Sequence, residues 1–195
     1  MDGVDLLSLS GHKLYGPKGV GALYVRRRDP RVALEPQVTG GGQERGLRSG
    51  TLNVPGIVAL GEACRIASEE MATEAERLTG QRKRLWQKLR AGLDGVFLNG
   101  SVTHRLPGNL NVSFSGVMAH RLLGSLTVLA VSSSSACSSG NSEPSPILAA
   151  IGVSDELARA SLRIGLGRGT TAAEVDFAAE TIIAAVTRIR GESPV

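Results

Sequence analysis

Aromatic side chains are scarce in this sequence of 195 residues: Phe, Tyr and Trp together make up 3%. A surface that stacks exposed bases needs several such rings, so the composition argues against a nucleic-acid role. Histidine occurs only at His12, His104 and His120, without metal-ligand spacing, and no metal site is expected. Cysteine occurs only at Cys64 and Cys137, with no Cys-x-x-Cys pair. That usage fits a reducing compartment, where thiols serve chemistry or packing rather than cross-linking. No apolar run approaches the roughly eighteen residues of a membrane-crossing helix. The opening Met1-Asp2-Gly3-Val4-Asp5 is acidic and short, unlike a secretory leader. The expectation is a cytoplasmic protein without membrane association. Lysine is the last scarcity. Only Lys13, Lys18, Lys83 and Lys88 occur among 22 basic residues. Arginine stands nearly wherever a generic positive charge is enough, so a lysine inside a glycine-rich turn points to a need for an amine.

What is present is ordinary for a globular chain: 42% apolar, 21% charged and a net charge of +4. The length allows one or two domains. Arg26-Arg27-Arg28 and Arg31 directly follow a strand and read as a solvated strand exit. Val4-Asp5-Leu6-Leu7 reads as a buried strand, and Val20 to Val25 as a second. Between them lies Ser8-Leu9-Ser10-Gly11-His12-Lys13-Leu14-Tyr15-Gly16-Pro17-Lys18-Gly19, a tight turn. An amine that condenses with a carbonyl needs a lowered pKa, from desolvation or a neighbouring cation. A strand end beside His12 and Lys18 could supply both to Lys13; the plainer alternative is a surface lysine in a loop. Val38 to Thr51 is rich in glycine and charge. Gly40-Gly41-Gly42 lets a backbone approach a ligand or partner closely, and a flexible surface loop is the alternative.

Pro55 opens a long helix to about Ala91. Its apolar stripe is Ile57, Leu60, Cys64, Ala67, Met71, Leu78, Leu85 and Leu89, which makes Cys64 a small buried hydrophobe. Strands follow at Val96–Asn99 and Gly108–Phe114, a helix at Met118–Leu126 and a strand at Thr127–Val131, an alternation that signals α/β structure. Ser132 to Ser145 has the composition of a linker. A lone cysteine and close apolar flanks favour a functional loop instead. Ser154 caps a short helix through Arg159. Ala160 to Arg168 is a strand leaving into a turn; its Gly165-x-Gly167-x-Gly169 lacks dinucleotide-binding spacing. Arg163, within it, reads from the residues alone as a structural arginine at a strand edge. Thr171 and Glu174 form a capping box that opens a last helix with Val175, Ala178, Ile182, Val186 and Ile189 on one face.

Three motifs, Ser10-Gly11-His12-Lys13, the Arg48-Ser49-Gly50-Thr51 loop, and Ser135-Ala136-Cys137 with Glu143-Pro144-Ser145, resemble the class V aminotransferase family in matching order. Within it the chain is similar to the long-loop cysteine desulfurases, the NifS- and IscS-like group, from residue 1 to about 190. The resemblance implies an α/β fold: the carboxy-terminal half of a PLP fold type I enzyme. Residues 1–52 would be a remnant of the large pyridoxal phosphate (PLP) domain. Residues 53–195 would be a linking helix and the small α/β domain. It implies Lys13 as the Schiff-base lysine and Cys137 as the persulfide-forming nucleophile. Ser10, His12 and Thr51 fall at phosphate contacts, Thr51 towards the other protomer of a homodimer, and Arg163 at the substrate carboxylate. The implied reaction converts L-cysteine to L-alanine and passes sulfur to an acceptor such as an iron–sulfur scaffold. Family members are about twice as long. The aspartate at the pyridine nitrogen and the histidine over the ring have no counterpart here, so the chain is expected to be a truncated piece. A non-catalytic interaction module, half of a split enzyme and a selenocysteine lyase-like enzyme remain as alternatives.

Overall fold

Two strands with alternating side chains set the larger sheet of the computed structural model, which describes residues 3–133 and 145–192. In β4 (Asn109–Phe114), Leu110, Val112 and Phe114 share one buried face. In β6 (Ser161–Gly165), Leu162 and Ile164 are buried while Arg163 is exposed. The strands pair antiparallel, with Leu110 opposite Ile164 and Val112 opposite Leu162, so the apolar rows coincide. β3 (Val96–Leu98) adds to β4 and β5 (Ser132–Ser133) to β6, giving the antiparallel order β3-β4-β6-β5. Against the apolar face pack Leu85 and Leu89 of α1 (Val54–Gly92), Leu122 of α2 (Ala119–Ser125), and Val175, Ala179, Ile182, Val186 and Ile189 of α5 (Ala172–Gly191). The expected α/β architecture is present. The Thr171–Glu174 capping box is formed, and after the short α3 (Pro146–Ala150) Ser154 Oγ accepts from Leu157 N at the start of α4 (Asp155–Arg159).

The other sheet face carries polar side chains that satisfy one another. Asn99 Nδ2 donates to Asn111 Oδ1 at 2.7 Å, Ser113 Oγ at 2.9 Å and Ser161 Oγ at 3.0 Å. Ser113 and Ser161 are fully buried, and such groups are tolerable only when paired.

Some arginines bind backbone carbonyls, while Arg65, Arg84, Arg121 and Arg168 supply charge to ion pairs. Arg77 donates to the carbonyls of Gly167, Arg168 and Thr170, and buried Arg82 to those of Leu106 and Pro107. Arg190 donates to Ser115 O and Asp94 O. One guanidinium fork serves several turn carbonyls at once, which an ammonium does less well.

The chain divides within α1 into two compact units, Met1–Met71 and Ala72–Val195. In the first, β1 (Leu6–Ser10) and β2 (Gly21–Val25) pair as a hairpin, with Leu7 opposite Tyr24. The expected buried strand is in fact solvated: Leu6 is 48% and Leu23 53% exposed. Among the described residues the ribbon gains no third strand, and two strands alone bury little. The same cause corrects the α1 stripe. Leu60, Leu78, Leu85 and Leu89 are buried, but Ile57, Met71 and Cys64 are exposed, so Cys64 is not a core residue. The strand expected at Thr127–Val131 is a turn, tied by Leu129 N to Leu126 O. Leu129 and Val131 still pack on the core, and pairing begins only at Ser132, opposite Arg163.

Phe114→Ala should cost about 3–5 kcal/mol in urea unfolding, the range for deleting a buried ring; a loss below 1 kcal/mol would refute its place in the core. Limited proteolysis should trim residues 3–52 before residues 72–192, and early loss of α5 would contradict this. Asp176 sits between Arg84, which reaches both its oxygens at 2.7 and 2.6 Å, and Lys88 at 2.9 Å. The Arg84 hydrogen bonds, then those of Lys88, hold its carboxyl below the usual carboxylate range. A depressed folded pKa contributes stability that is present above about pH 4 and is lost as pH falls further. Asp176→Asn should therefore lower the unfolding midpoint at pH 7 and flatten its decline towards pH 3; parallel pH curves would contradict the assignment.

Candidate functional site

The Lys13 turn is held by its own backbone. From β1 the chain enters a 3-10 turn, Gly11–Leu14. Gly11 N donates to Val20 O at 2.9 Å and Gly16 N to Gly11 O at 2.9 Å, so the segment closes on itself. Tyr15, at φ 64°, reverses the chain just after the turn, a conformation that a bulky residue adopts only when its surroundings enforce it. Gly11 has no room for a side chain: a Cβ there would meet Pro17 O at 2.9 Å. At Gly16 a Cβ would come within 3.2 Å of Ala63 Cβ, so α1 lies directly against this turn.

That closure gathers a hydroxyl, an imidazole and an amine on one short segment. Ser10 Oγ and His12 Nδ1 are hydrogen-bonded at 2.9 Å. Lys13 follows His12 and is exposed. The desolvation expected to activate its amine is therefore not supplied by burial among the described residues.

The glycine-rich loop is ordered by crossed braces. Val38 and Arg48 form a parallel bridge, and Ser49 N donates to Val38 O at 3.0 Å. Gly42 N donates to Ser49 Oγ at 3.3 Å, and Gly50 N to Gln43 Oε1 at 2.9 Å. Glu44 and Arg45 take φ values of 49° and 61° inside this frame. The loop hands the chain to Thr51, which is exposed. Gln43 was not singled out from the sequence and Ser49 only as part of its motif; nothing in their spacing reveals a pairing that depends on loop geometry.

In the second unit, Arg163 is exposed on β6, and its Nε donates to Ser132 Oγ at 3.2 Å. The structure thus brings Ser10, His12 and Lys13 together, sets Thr51 at the end of a braced loop, and pairs Arg163 with Ser132. Cys137 lies outside the described residues. Among the described residues no group of His, Cys, Asp and Glu could hold a metal ion.

A family model described as aminotransferase class-V matches residues 2–177. Cysteine desulfurase IscS of Anaeromyxobacter sp. (strain Fw109-5) is 56% identical over 191 residues, covering 98% of this chain and 47% of the relative. Cysteine desulfurase IscS of Escherichia coli O139:H28 (strain E24377A / ETEC) has the same identity and coverage. Among solved structures, a NifS-like protein superposes with a TM-score of 0.82 at 35% identity, covering 95% of this chain and 47% of that one. DndA from Streptomyces lividans superposes at 0.66 with 40% identity, covering 83% and 46%. The chain spans about half the length of the curated relatives it matches.

Gln43→Ala removes the acceptor of Gly50 N–H. Amide exchange at Gly50 should then accelerate about fivefold, the worth of about 1 kcal/mol, while β4 and β6 amides stay as protected as before. Unchanged exchange at Gly50 would show that the brace does not order the loop.

Proposed function

Because the chain belongs to the aminotransferase class-V family, we propose that it carries the lysine, thiol and carboxylate-binding parts of a PLP-dependent cysteine desulfurase. The observation that supports this most is the closed Gly11–Val20 turn, which presents Lys13 beside a bonded Ser10–His12 pair. The donor set fits PLP: a primary amine suits the aldehyde, and hydroxyl and imidazole N–H groups suit a phosphate. Gly11, where a side chain would clash, keeps these donors on one tight segment. Ser10, His12 and Lys13 would hold the cofactor, with Thr51 adding a hydroxyl across a homodimer. PLP supplies an electron sink for bonds made and broken next to the amino-acid carbon.

The chain's own residues then do the following. Arg163 binds the α-carboxylate of L-cysteine, since a guanidinium pairs both oxygens. Lys13, as a free amine, moves the α-proton at Nζ. Cys137, as a thiolate, attacks the substrate sulfur. A sulfur–sulfur bond forms and the carbon–sulfur bond breaks, its electron pair staying with the carbon skeleton. That skeleton takes up a proton and leaves as L-alanine. Cys137 is left as a persulfide, ready for an acceptor protein such as an iron–sulfur scaffold in the cytoplasm. The exposed Leu6, Leu7, Leu23 and Tyr24 of the hairpin favour a second reading. In it these residues act inside a larger assembly and the chain does not turn over alone.

Cys137→Ser tests the assignment. Sulfur transfer should fall to background, while PLP uptake at Lys13 matches the parent chain. Undiminished alanine and sulfide production by the variant would remove Cys137 from the role.

A further inference from the structure

We infer that Ser132 is a positioning residue for Arg163, holding its guanidinium so that the Nη1 and Nη2 end is offered to the substrate carboxylate. The inference rests on the reading of Arg163 as the carboxylate ligand and extends it to a residue with no role so far. β5 consists of Ser132–Ser133 alone, and its register sets Ser132 directly opposite Arg163. Directly opposed residues project from the same sheet face, and here they touch: Arg163 Nε donates to Ser132 Oγ at 3.2 Å. A guanidinium offers one fork through Nε and Nη2 and another through Nη1 and Nη2. Ser132 occupies Nε and so removes the first fork from bidentate use. Among the described residues the second stays whole, on an exposed side chain.

Across β6 the other neighbour of Arg163 is Asn111, whose Oδ1 already accepts from Asn99 Nδ2 at 2.7 Å. Among the described residues, Asn111 Oδ1 is engaged by Asn99 and Arg163 Nε by Ser132, so the arginine is steered from the Ser132 side. A long arginine side chain has several rotamers to lose on binding, and a fixed Nε lowers that loss.

The test is a titration of the 195-residue chain with L-alanine, the inert product, followed through the side-chain nitrogen resonances of arginine. Ethylamine, which lacks the carboxylate, is the control. Ser132→Ala should weaken L-alanine binding about fivefold, the worth of one hydrogen bond. Ser132→Thr, which keeps the hydroxyl and suits a strand, should restore it, and ethylamine should respond alike to all variants. If Arg163→Ala loses L-alanine while Ser132→Ala binds it as tightly as the parent, the positioning role is wrong and the Arg163 reading stands. If Arg163→Ala binds like the parent, or the parent does not bind, the reading of Arg163 falls and this inference with it.

Discussion

The pairing of β4 with β6 is the constraint on which the second unit depends. One register performs two tasks. It stacks Leu110 on Ile164 and Val112 on Leu162 to make the core face, and it lines up Asn111, Arg163 and Ser132 on the other. A slip by one residue would turn Arg163 into the core and Leu162 out to solvent. The packing energy of the apolar face, about 1.5–3 kcal/mol for each fully buried large side chain, therefore also fixes where the guanidinium points. The buried Asn99, Ser113 and Ser161 reinforce the choice, because their hydrogen bonds close only in this alignment.

The first unit reaches local order by other means. Its hairpin buries little, yet the Lys13 turn is fixed by backbone closure, by glycines with no space for a side chain, and by contact with α1 at Ala63. Local hydrogen bonding can shape a segment without a surrounding core, but it cannot withdraw an amine from water. Shape and desolvation at Lys13 are thus separate problems, and the described residues solve the first of them.

Much of this was legible in the sequence where the cause is local. The capping box at Thr171, the cap at Ser154, the α1 boundaries and the β3 and β4 strands follow from side chains acting on their own neighbourhood. The Lys13 turn was legible for the same reason, since Gly-Pro-Lys-Gly dictates a reversal. What was not legible depends on long-range cover. Cys64 and Met71 lie on an apolar stripe that periodicity alone assigns to a core, but burial also needs something packed against it. Ser132 became meaningful only once its strand partner was known. The arginines looked interchangeable in composition, and their individual carbonyl contacts required the fold.

The central claim is that the closed turn presents Lys13 as the cofactor-bearing amine. The most direct measurement adds PLP to the purified chain, reduces with borohydride and maps the modified peptide. The label should be stoichiometric on Lys13 and disappear in Lys13→Ala. Labelling scattered over Lys18, Lys83 and Lys88, or an unlabelled chain, would contradict the claim.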